Sequence, residues 1–167
     1  MAREYDLSKI AFKGDKKFLS NMYQATICVN KENATIRQYI AKGIIEDRDG
    51  LYRSTEHFYQ ANKSHDPEWK KLVGETADGE KVKSLARRHL GKRYEVRSDW
   101  DIVKIPTMKL AVFLKFSQHR DLRYKLLCVD GEIIEENCWN DTFWGTCEGE
   151  GDNHLGILLE AFRDRIV

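Results

Sequence analysis

Hydrophobic residues recur at helical spacing along most of the chain beyond residue 65. The pair Asp66-Pro67 is typical of a helix start, because aspartate caps exposed N–H groups and proline suits the first turn. Residues 78–91 repeat the spacing and end at Gly91, a natural helix stop. The chain closes on an apolar stripe typical of an amphipathic helix: Leu155, Leu158, Leu159, Phe162 and Ile166.

The longest apolar-periodic stretch runs from about Asp99 to His119 and contains Pro106. Proline removes one backbone hydrogen bond of a helix, so we expect a kink or a restart at this point. The stretch "RDLRYKLLCV" (120–129) continues the helical pattern.

Short strands are predicted in the first half, at "ATICVN" (25–30) and "GLYRS" (50–54), and later at "GEIIEEN" (131–137). Between the first two, residues 31–49 are charged and lack a clean period. We expect a short helix at 34–42 there, an extended "GIIED" after it, and a surface position for the whole segment. These patterns predict a mainly α protein with small β elements (α+β), formed by one domain over residues 1–167.

The segment "LYRSTEHFYQANK" (51–63) raises the question of which side of a helix faces water. If residue 54 or 55 caps a helix, four polar side chains follow on one side of it: Glu56, Tyr59, Gln60 and Lys63. The apolar residues between them form only a thin stripe. From spacing alone two interpretations stay open, a solvated face or the lining of a site that binds a polar ligand.

Composition narrows the class of protein. The chain is 41% hydrophobic and 33% charged, with a net charge of +1, which gives no electrostatic reason to expect a nucleic-acid or membrane partner. Four scattered cysteines lack metal-ligand spacing, so we expect reduced, mostly buried thiols and no metal site. No apolar run approaches the roughly 18 residues of a spanning helix and no signal peptide is evident, so we expect a cytoplasmic protein.

Three further stretches carry candidate chemistry. "FLSNMY" (18–23) predicts a turn, or a loop whose Asn21 amide points at a ligand. The segment 135–156 is a long loop with acidic residues, glycines and two tryptophans, in which Asp152 or Asn153 caps the last helix. The basic run 87–97 indicates either a solvated helix end or a source of phosphate contacts.

Six blocks of the chain, taken together, resemble the YbiA-like family, also called NADAR. The blocks cover about residues 12–166 and stand in the family's order: "FLSNMY", "STEHFYQANK", "VRSDW", "MKLAVFLKF", "IIEENCWNDTFWG" and "DNHLGILLEAFRDRI". The resemblance implies a YbiA-like fold, mainly helical with small β elements. The chain departs from the family in a longer 31–49 segment and in an acidic "TCEGEGD" after Gly145.

The resemblance implies an N-glycosidase that hydrolyses the C1′–N bond of ribosylated, phosphorylated small molecules. One branch of the family acts on ribosylamino-pyrimidine phosphate intermediates of riboflavin biosynthesis. Another is linked to NAD and ADP-ribose, including removal of ADP-ribose from modified guanine. Non-catalytic binding of ADP-ribose or a nucleotide, and a purely structural domain, are the remaining alternatives. No cofactor is implied, and no nucleic-acid partner other than ADP-ribosylated guanine as a substrate.

The family motifs also assign candidate site residues. An N-riboside is cleaved through an oxocarbenium-like sugar, which calls for a carboxylate near C1′. We assign catalytic roles to Glu56, which stabilises that charge or activates water, and to Asp141, which orients water or holds ribose hydroxyls. The predicted substrate-binding residues are Asn21, Tyr59, Gln60, Lys63, Trp100, Lys115, Trp144, Gly145 and Asn153, with Arg87 or Arg97 as further phosphate partners.

Overall fold

The computed structural model describes residues 9–165, in which helices dominate and strands are short. The helices are a 3₁₀ helix at Gly14–Leu19, α1 (Ala34–Ala41), α2 (Thr55–Ala61), α3 (Pro67–Glu75), α4 (Gly79–His89), α5 (Trp100–Gln118), α6 (Arg120–Leu127) and α7 (His154–Arg163). The strands are β1 (Lys9–Ala11), β2 (Ile27–Val29), β3 (Gly50–Tyr52), β4 (Glu132–Ile134), β5 (Glu136–Asn137) and β6 (Thr146–Cys147). The mainly helical class with small β elements is therefore confirmed.

The chain divides into two compact units. One comprises Asn21–His119, and the other comprises the described residues up to Ser20 together with those from Arg120 onward. The expectation of a single domain over 1–167 stays a prediction. Within the described residues, no helix is long and apolar enough to cross a membrane.

Helix α2 lies at the centre of the Asn21–His119 unit. It packs against α3, α4, α5 and β3, and β3 in turn pairs antiparallel with β2. A cluster around the fully buried Trp69 fills the space between α2, α3 and α4. Asp66 caps α3 through the N–H groups of Glu68 and Trp69, with Pro67 in the first turn, as the sequence predicts.

Strand β4 organises the other unit. It pairs with β1 in parallel on one edge, while polar side chains at and within α7 bind its other edge. Glu160 Oε1 accepts from Ile133 N at 2.6 Å, and Asn153 Nδ2 donates to Ile133 O at 2.8 Å. This close approach leaves no room at Gly156, where an added Cβ would lie 2.0 Å from Ile133 O. Of the predicted α7 stripe, Leu155 and Leu159 are buried, and Ile166 lies outside the described residues.

Two predictions concern the continuity of the backbone elements. Of the kink or restart expected at Pro106, the restart is wrong, because helix α5 runs through the proline, and the kink stays a prediction. The proline lacks the N–H that would bind the Ile102 carbonyl, and this part of the helix lies at the surface, since Ile102 is 79% exposed. The segment "GIIED" after α1 is not extended but forms a turn and bends, and Arg97 binds its carbonyls at Gly43 and Ile44 at 2.6 and 2.8 Å.

Two predictions about exposure are also wrong. The 31–49 segment is not simply a surface excursion, because Ile36, Ile44 and Ile45 are buried. The cysteines are free, as expected, but they are not buried. Three of them are exposed and the fourth is half-buried: Cys28, Cys128, Cys138 and Cys147.

A matched pair of glycines tests the close packing of α7 on β4. Gly156→Ala inserts a methyl group against the Ile133 carbonyl, and we expect it to lower the free energy of unfolding by about 1–3 kcal/mol. Gly74→Ala, within α3 and with nothing within 4 Å of the new methyl, is expected to raise it by about 0.5–1 kcal/mol. Urea unfolding of both variants measures the difference, and equal effects would contradict the packing constraint.

Candidate functional site

Helix α2 carries the polar stripe that the sequence left open. All of its residues, Thr55 to Ala61, are buried. The solvated-face interpretation is therefore wrong, since Glu56 is only 5% exposed and Gln60 only 3%. A polar side chain in such a position is costly unless it is hydrogen-bonded.

The first turn of α2 is held by Ser54 and His57. Ser54 caps the helix by accepting from His57 N, and its hydroxyl also lies 2.7 Å from His57 Nδ1. His57 Nε2 lies 3.1 Å from the Thr76 carbonyl, which can only accept, so Nε2 carries the proton and Nδ1 accepts from the Ser54 hydroxyl. Burial lowers the pKa of His57, which favours this neutral form.

Glu56 and Gln60 form a buried pair one turn apart. Gln60 Nε2 donates to Glu56 Oε1 at 2.7 Å, which fixes the direction of the amide because a carboxylate oxygen accepts. The Glu56 N–H donates to the Asn21 carbonyl at 2.9 Å, which ties the predicted turn at Asn21 to the start of α2. Gln60 Oε1 is buried and has no hydrogen-bond partner in the described structure, so one acceptor of the pair is unused.

The remaining members of the stripe form a ring platform with Trp100. The ring centroids of Tyr59 and Trp100 lie 4.9 Å apart at 59°. Lys63 Nζ lies 4.8 Å from the centre of the Tyr59 ring and 5.7 Å from that of Trp100. Trp100 and Lys63 are half-buried, so part of this platform is open to solvent.

Lys115 lies on α5 with its side chain buried, at 1% exposure. Its Nζ is 5.6 Å from the centre of the ring of Tyr23, two residues beyond Asn21 in the same turn region. Burial lowers the pKa of Lys115 to about 7, because the charged ammonium is taken out of water. The amine therefore changes protonation state near neutral pH, which an ordinary lysine does not.

The predicted residues of the second unit have structural contacts of their own. Asp141 Oδ1 accepts from Trp144 N at 3.0 Å, and the half-buried Trp144 packs edge-on against Phe143. Gly145 lies so close to β4 and β5 that an added Cβ would be 2.0 Å from Glu135 O.

Asn153 does not cap α7 with its side chain, contrary to the sequence expectation. Its Oδ1 instead accepts from Glu135 N and its Nδ2 donates to Ile133 O. Asn153 also adopts a left-handed backbone, with φ of 51°. The Asn153 amide therefore joins α7 to residues 133–135. These two hydrogen bonds give the side chain a structural role that requires no ligand.

Sequence reasoning gave no role to one buried group near the site and assigned a ligand to another. It assigned no role to His57, although a serine three residues before a histidine at a helix start is a signal for the cap described above. It also offered Arg97 as a phosphate partner. The Arg97 guanidinium is instead bound by Asp99 and by the carbonyls of Gly43 and Ile44, which leaves little of it for a ligand.

Metal-ligating side chains do not gather in the described part of the chain. No group of three His, Cys, Asp or Glu side chains there could hold a metal ion. The site's chemistry is thus described by its carboxylate, amide, amine and aromatic groups.

Comparison with known proteins identifies the family. The profile of the NADAR domain matches residues 11–167. A protein of Nostoc punctiforme named N-glycosidase Npun_R5314 is 36% identical over 126 residues, which are 73% of this chain and 79% of that protein. N-glycosidase YbiA of Escherichia coli is 30% identical over 115 residues, 68% of this chain and 70% of that protein.

A longer relative and a solved structure complete the comparison. The chloroplastic riboflavin biosynthesis protein PYRR of Zea mays is 36% identical over 132 residues, 72% of this chain but only 21% of that protein. The NMR structure of E. coli YbiA superposes with a TM-score of 0.71 at 24% identity, covering 95% of this chain and 84% of that one. At this identity the structural match establishes the fold.

The neutral state of His57 predicts a pH dependence of stability. Its pKa in the folded protein lies below the value of about 6.5 expected when unfolded, so the unfolded chain binds a proton that the folded chain does not. We expect the stabilising contribution of His57 to be complete above pH 6.5 and to be lost as the pH falls below it. Between pH 7.5 and pH 5.5, urea unfolding should show a smaller loss in the free energy of unfolding for His57→Gln than for the unchanged protein. An equal loss in the two proteins would contradict the lowered pKa of His57.

Lys115 predicts a proton exchange of the same direction at higher pH. Between about pH 7 and 10.5 the unfolded chain holds a proton that folded Lys115 has released, so the penalty for burying the charge shrinks as the pH rises. We expect Lys115→Met to unfold at higher urea than the unchanged protein at pH 6.5, by a margin that narrows toward pH 9.5. Lys109→Met, on the same helix but exposed, is the control. If the difference in urea midpoint between Lys115→Met and the unchanged protein does not change with pH, the lowered pKa of Lys115 is contradicted.

Proposed function

We propose that this chain, which belongs to the NADAR domain family and is an N-glycosidase, hydrolyses the C1′–N bond of a ribosylated and phosphorylated small molecule. Ribosylamino-pyrimidine phosphates of riboflavin biosynthesis are the substrates we favour. The names of the relatives support this choice: the N-glycosidases of Nostoc and Escherichia, and the proteins of maize and Vibrio vulnificus named for riboflavin biosynthesis.

The observation that carries the proposal is the buried Glu56–Gln60 pair. Positive charge develops on the sugar as the C1′–N bond breaks, and a carboxylate in a water-poor site stabilises such charge far better than one in water. Gln60 fixes one oxygen of Glu56 through its amide N–H and leaves its own Oε1 available to a ligand. In the proposed mechanism Glu56 faces C1′ and Gln60 accepts from a ribose hydroxyl.

The ring platform supplies the group that holds the base. Tyr59 and Trp100 offer aromatic surface beside the carboxylate, and stacking of a base on such a surface contributes about 1–3 kcal/mol. Lys63, adjacent to both rings, is suited to a phosphate or to a carbonyl oxygen of the base. Asn21 borders the same region through its bond to the start of α2.

Lys115 is proposed to bind the substrate near Tyr23. With a pKa of about 7 it donates a hydrogen bond in either protonation state. Hydrolysis adds the hydroxide of water to C1′ and delivers the remaining proton to the departing nitrogen. A buried amine that exchanges its proton near neutral pH is compatible with that delivery.

Asp141 remains our candidate for a second carboxylate, from the family motif. One of its oxygens is bonded to Trp144 N, so the carboxylate is oriented by its own loop. Trp144 is proposed as a further stacking surface. Gly145 and Asn153 are proposed to shape this loop, because packing alone explains why these two residues are needed.

A chromatographic hydrolysis assay tests the function. Purified protein is incubated with ribosylamino-pyrimidine phosphates, NAD, ADP-ribose and ADP-ribosylated guanosine. We expect release of free base or amine from the first class, and a fall in turnover of about 100-fold or more for Glu56→Gln, in line with loss of a charge-stabilising group. Asp141→Asn is run beside it and is expected to lower turnover in the same direction.

The matched control is Glu68→Gln, an exposed acid in the first turn of α3. It should retain full turnover. Cleavage of ADP-ribosylated guanosine alone would move the substrate to the ADP-ribose branch. Binding of a nucleotide without cleavage of any compound would contradict the proposed activity, and unchanged turnover in Glu56→Gln would contradict the role of that carboxylate.

A further inference from the structure

A cavity of about 280 Å³ lies on another side of α2 from the Glu56–Gln60 pair. His57 and Ala61 of α2 contribute to its wall, whereas Glu56, Tyr59 and Gln60 do not. Its volume is close to the lower end of the range of small-molecule sites, about 300–1,000 Å³. The wall is formed by Thr26, Arg48, Gly50, Leu51, Tyr52, Arg53, His57, Ala61, Lys70, Val73 and Gly74.

The charged side chains that line this cavity are all positive. Arg48, Arg53 and Lys70 are cationic, and no aspartate or glutamate is among the lining residues. Tyr52 adds no opposing charge, because burial raises the pKa of its hydroxyl. His57 adds no charge either at neutral pH, since burial lowers its pKa. The chain as a whole is almost neutral, so this concentration of positive charge is local.

The two arginines are available to a ligand. Arg53 is exposed and makes no hydrogen bond or ion pair with another described residue. Arg48 has one distant ion pair, 3.8 Å to Glu46, and its side chain is 48% exposed. Lys70 differs, because Glu46 binds it directly and also pairs with His65. Glu46 therefore holds Lys70 in place, and the two arginines can bind an anion.

The rest of the wall favours a ligand with a small uncharged body. Leu51, Tyr52, Ala61 and Val73 supply apolar surface next to the cationic groups. One arginine fork matches two oxygens of a carboxylate or of a phosphate, and a phosphate monoester offers a third oxygen that a second arginine can bind. A wall that combines cationic groups with apolar surface is the pattern expected for a phosphate ester of a small organic group.

We propose that this cavity binds a phosphate monoester of sugar size, held by Arg48 and Arg53, at a site separate from the Glu56–Gln60 pair. The site goes beyond the proposed hydrolysis, because it requires no bond to be broken. Two sources share this chemistry, a free phosphate ester and the phosphate group of a substrate whose sugar lies elsewhere.

Binding of ribose 5-phosphate, measured by isothermal titration calorimetry, tests the site without any need for turnover. We expect the unchanged protein to bind it and not to bind ribose. The double variant Arg48→Gln/Arg53→Gln should weaken binding by about tenfold or more, as expected for the loss of two charge-assisted contacts. Arg88→Gln, an exposed arginine on α4 outside the cavity, should bind within about twofold of the unchanged protein, on the same scale of affinity differences.

Three results would overturn the proposal. They are no binding by the unchanged protein, unchanged binding in the double variant, and an equal loss in Arg88→Gln, which would mean general attraction of anions. Glu56→Gln should leave this binding intact, so failure of the hydrolase proposal does not affect the result. Thermal unfolding of each variant confirms that the fold is retained, and the exposed positions of the two arginines make that the expected result.

A kinetic arm separates the two sources once a substrate is known. If the phosphate belongs to the substrate, the double variant raises KM for the phosphorylated substrate and leaves KM for its dephosphorylated form unchanged. If the ligand is a separate ester, ribose 5-phosphate does not compete with substrate. Either result agrees with an anion site in this cavity.

Discussion

The Asn21–His119 unit depends on the complete burial of a short polar helix. Seven residues of α2 are enclosed by three helices and a strand, and the stretch from Ser54 to Gln60 carries a serine, a histidine, a carboxylate and an amide. Each group in such a place needs a partner, because an unmet one costs on the order of 1–3 kcal/mol. The bonds of Ser54 to His57, of His57 to Thr76 and of Gln60 to Glu56 meet most of this demand, while Gln60 Oε1 has no partner among the described residues. The carboxylate that we propose for catalysis is therefore held by one of the bonds that allow the helix to be buried.

The sequence predicts features that depend on neighbouring residues, such as helix caps and apolar spacing. It does not predict that α2 is buried on every side. The cap of α3 at Asp66-Pro67 and the apolar positions of α7 depend on residues within one or two turns, so spacing alone predicts them. The placement of α2 depends on elements far along the chain, and its thin apolar stripe gave no sign that every side would be covered. The family motif, rather than the spacing, pointed to Glu56 as a site residue.

The same motif does not separate residues that hold the fold from residues that meet a ligand. Gly145, Gly156 and Asn153 all belong to matched blocks, and each has a packing reason visible in the structure. Gln60 differs because one of its polar atoms has no protein partner. Long-range contacts such as Arg97 with Gly43 and Ile44, 54 and 53 positions apart, have no local sequence signature at all.

The exposed thiols have a practical consequence. Cys28 lies on the Asn21–His119 unit, while Cys128 and Cys138 lie on the other. In air these surface thiols can link copies of the protein through disulfides, so reducing conditions keep it monodisperse. They also give each compact unit its own native attachment point for a maleimide dye or spin label, and removing selected cysteines would direct the probe to one unit at a time.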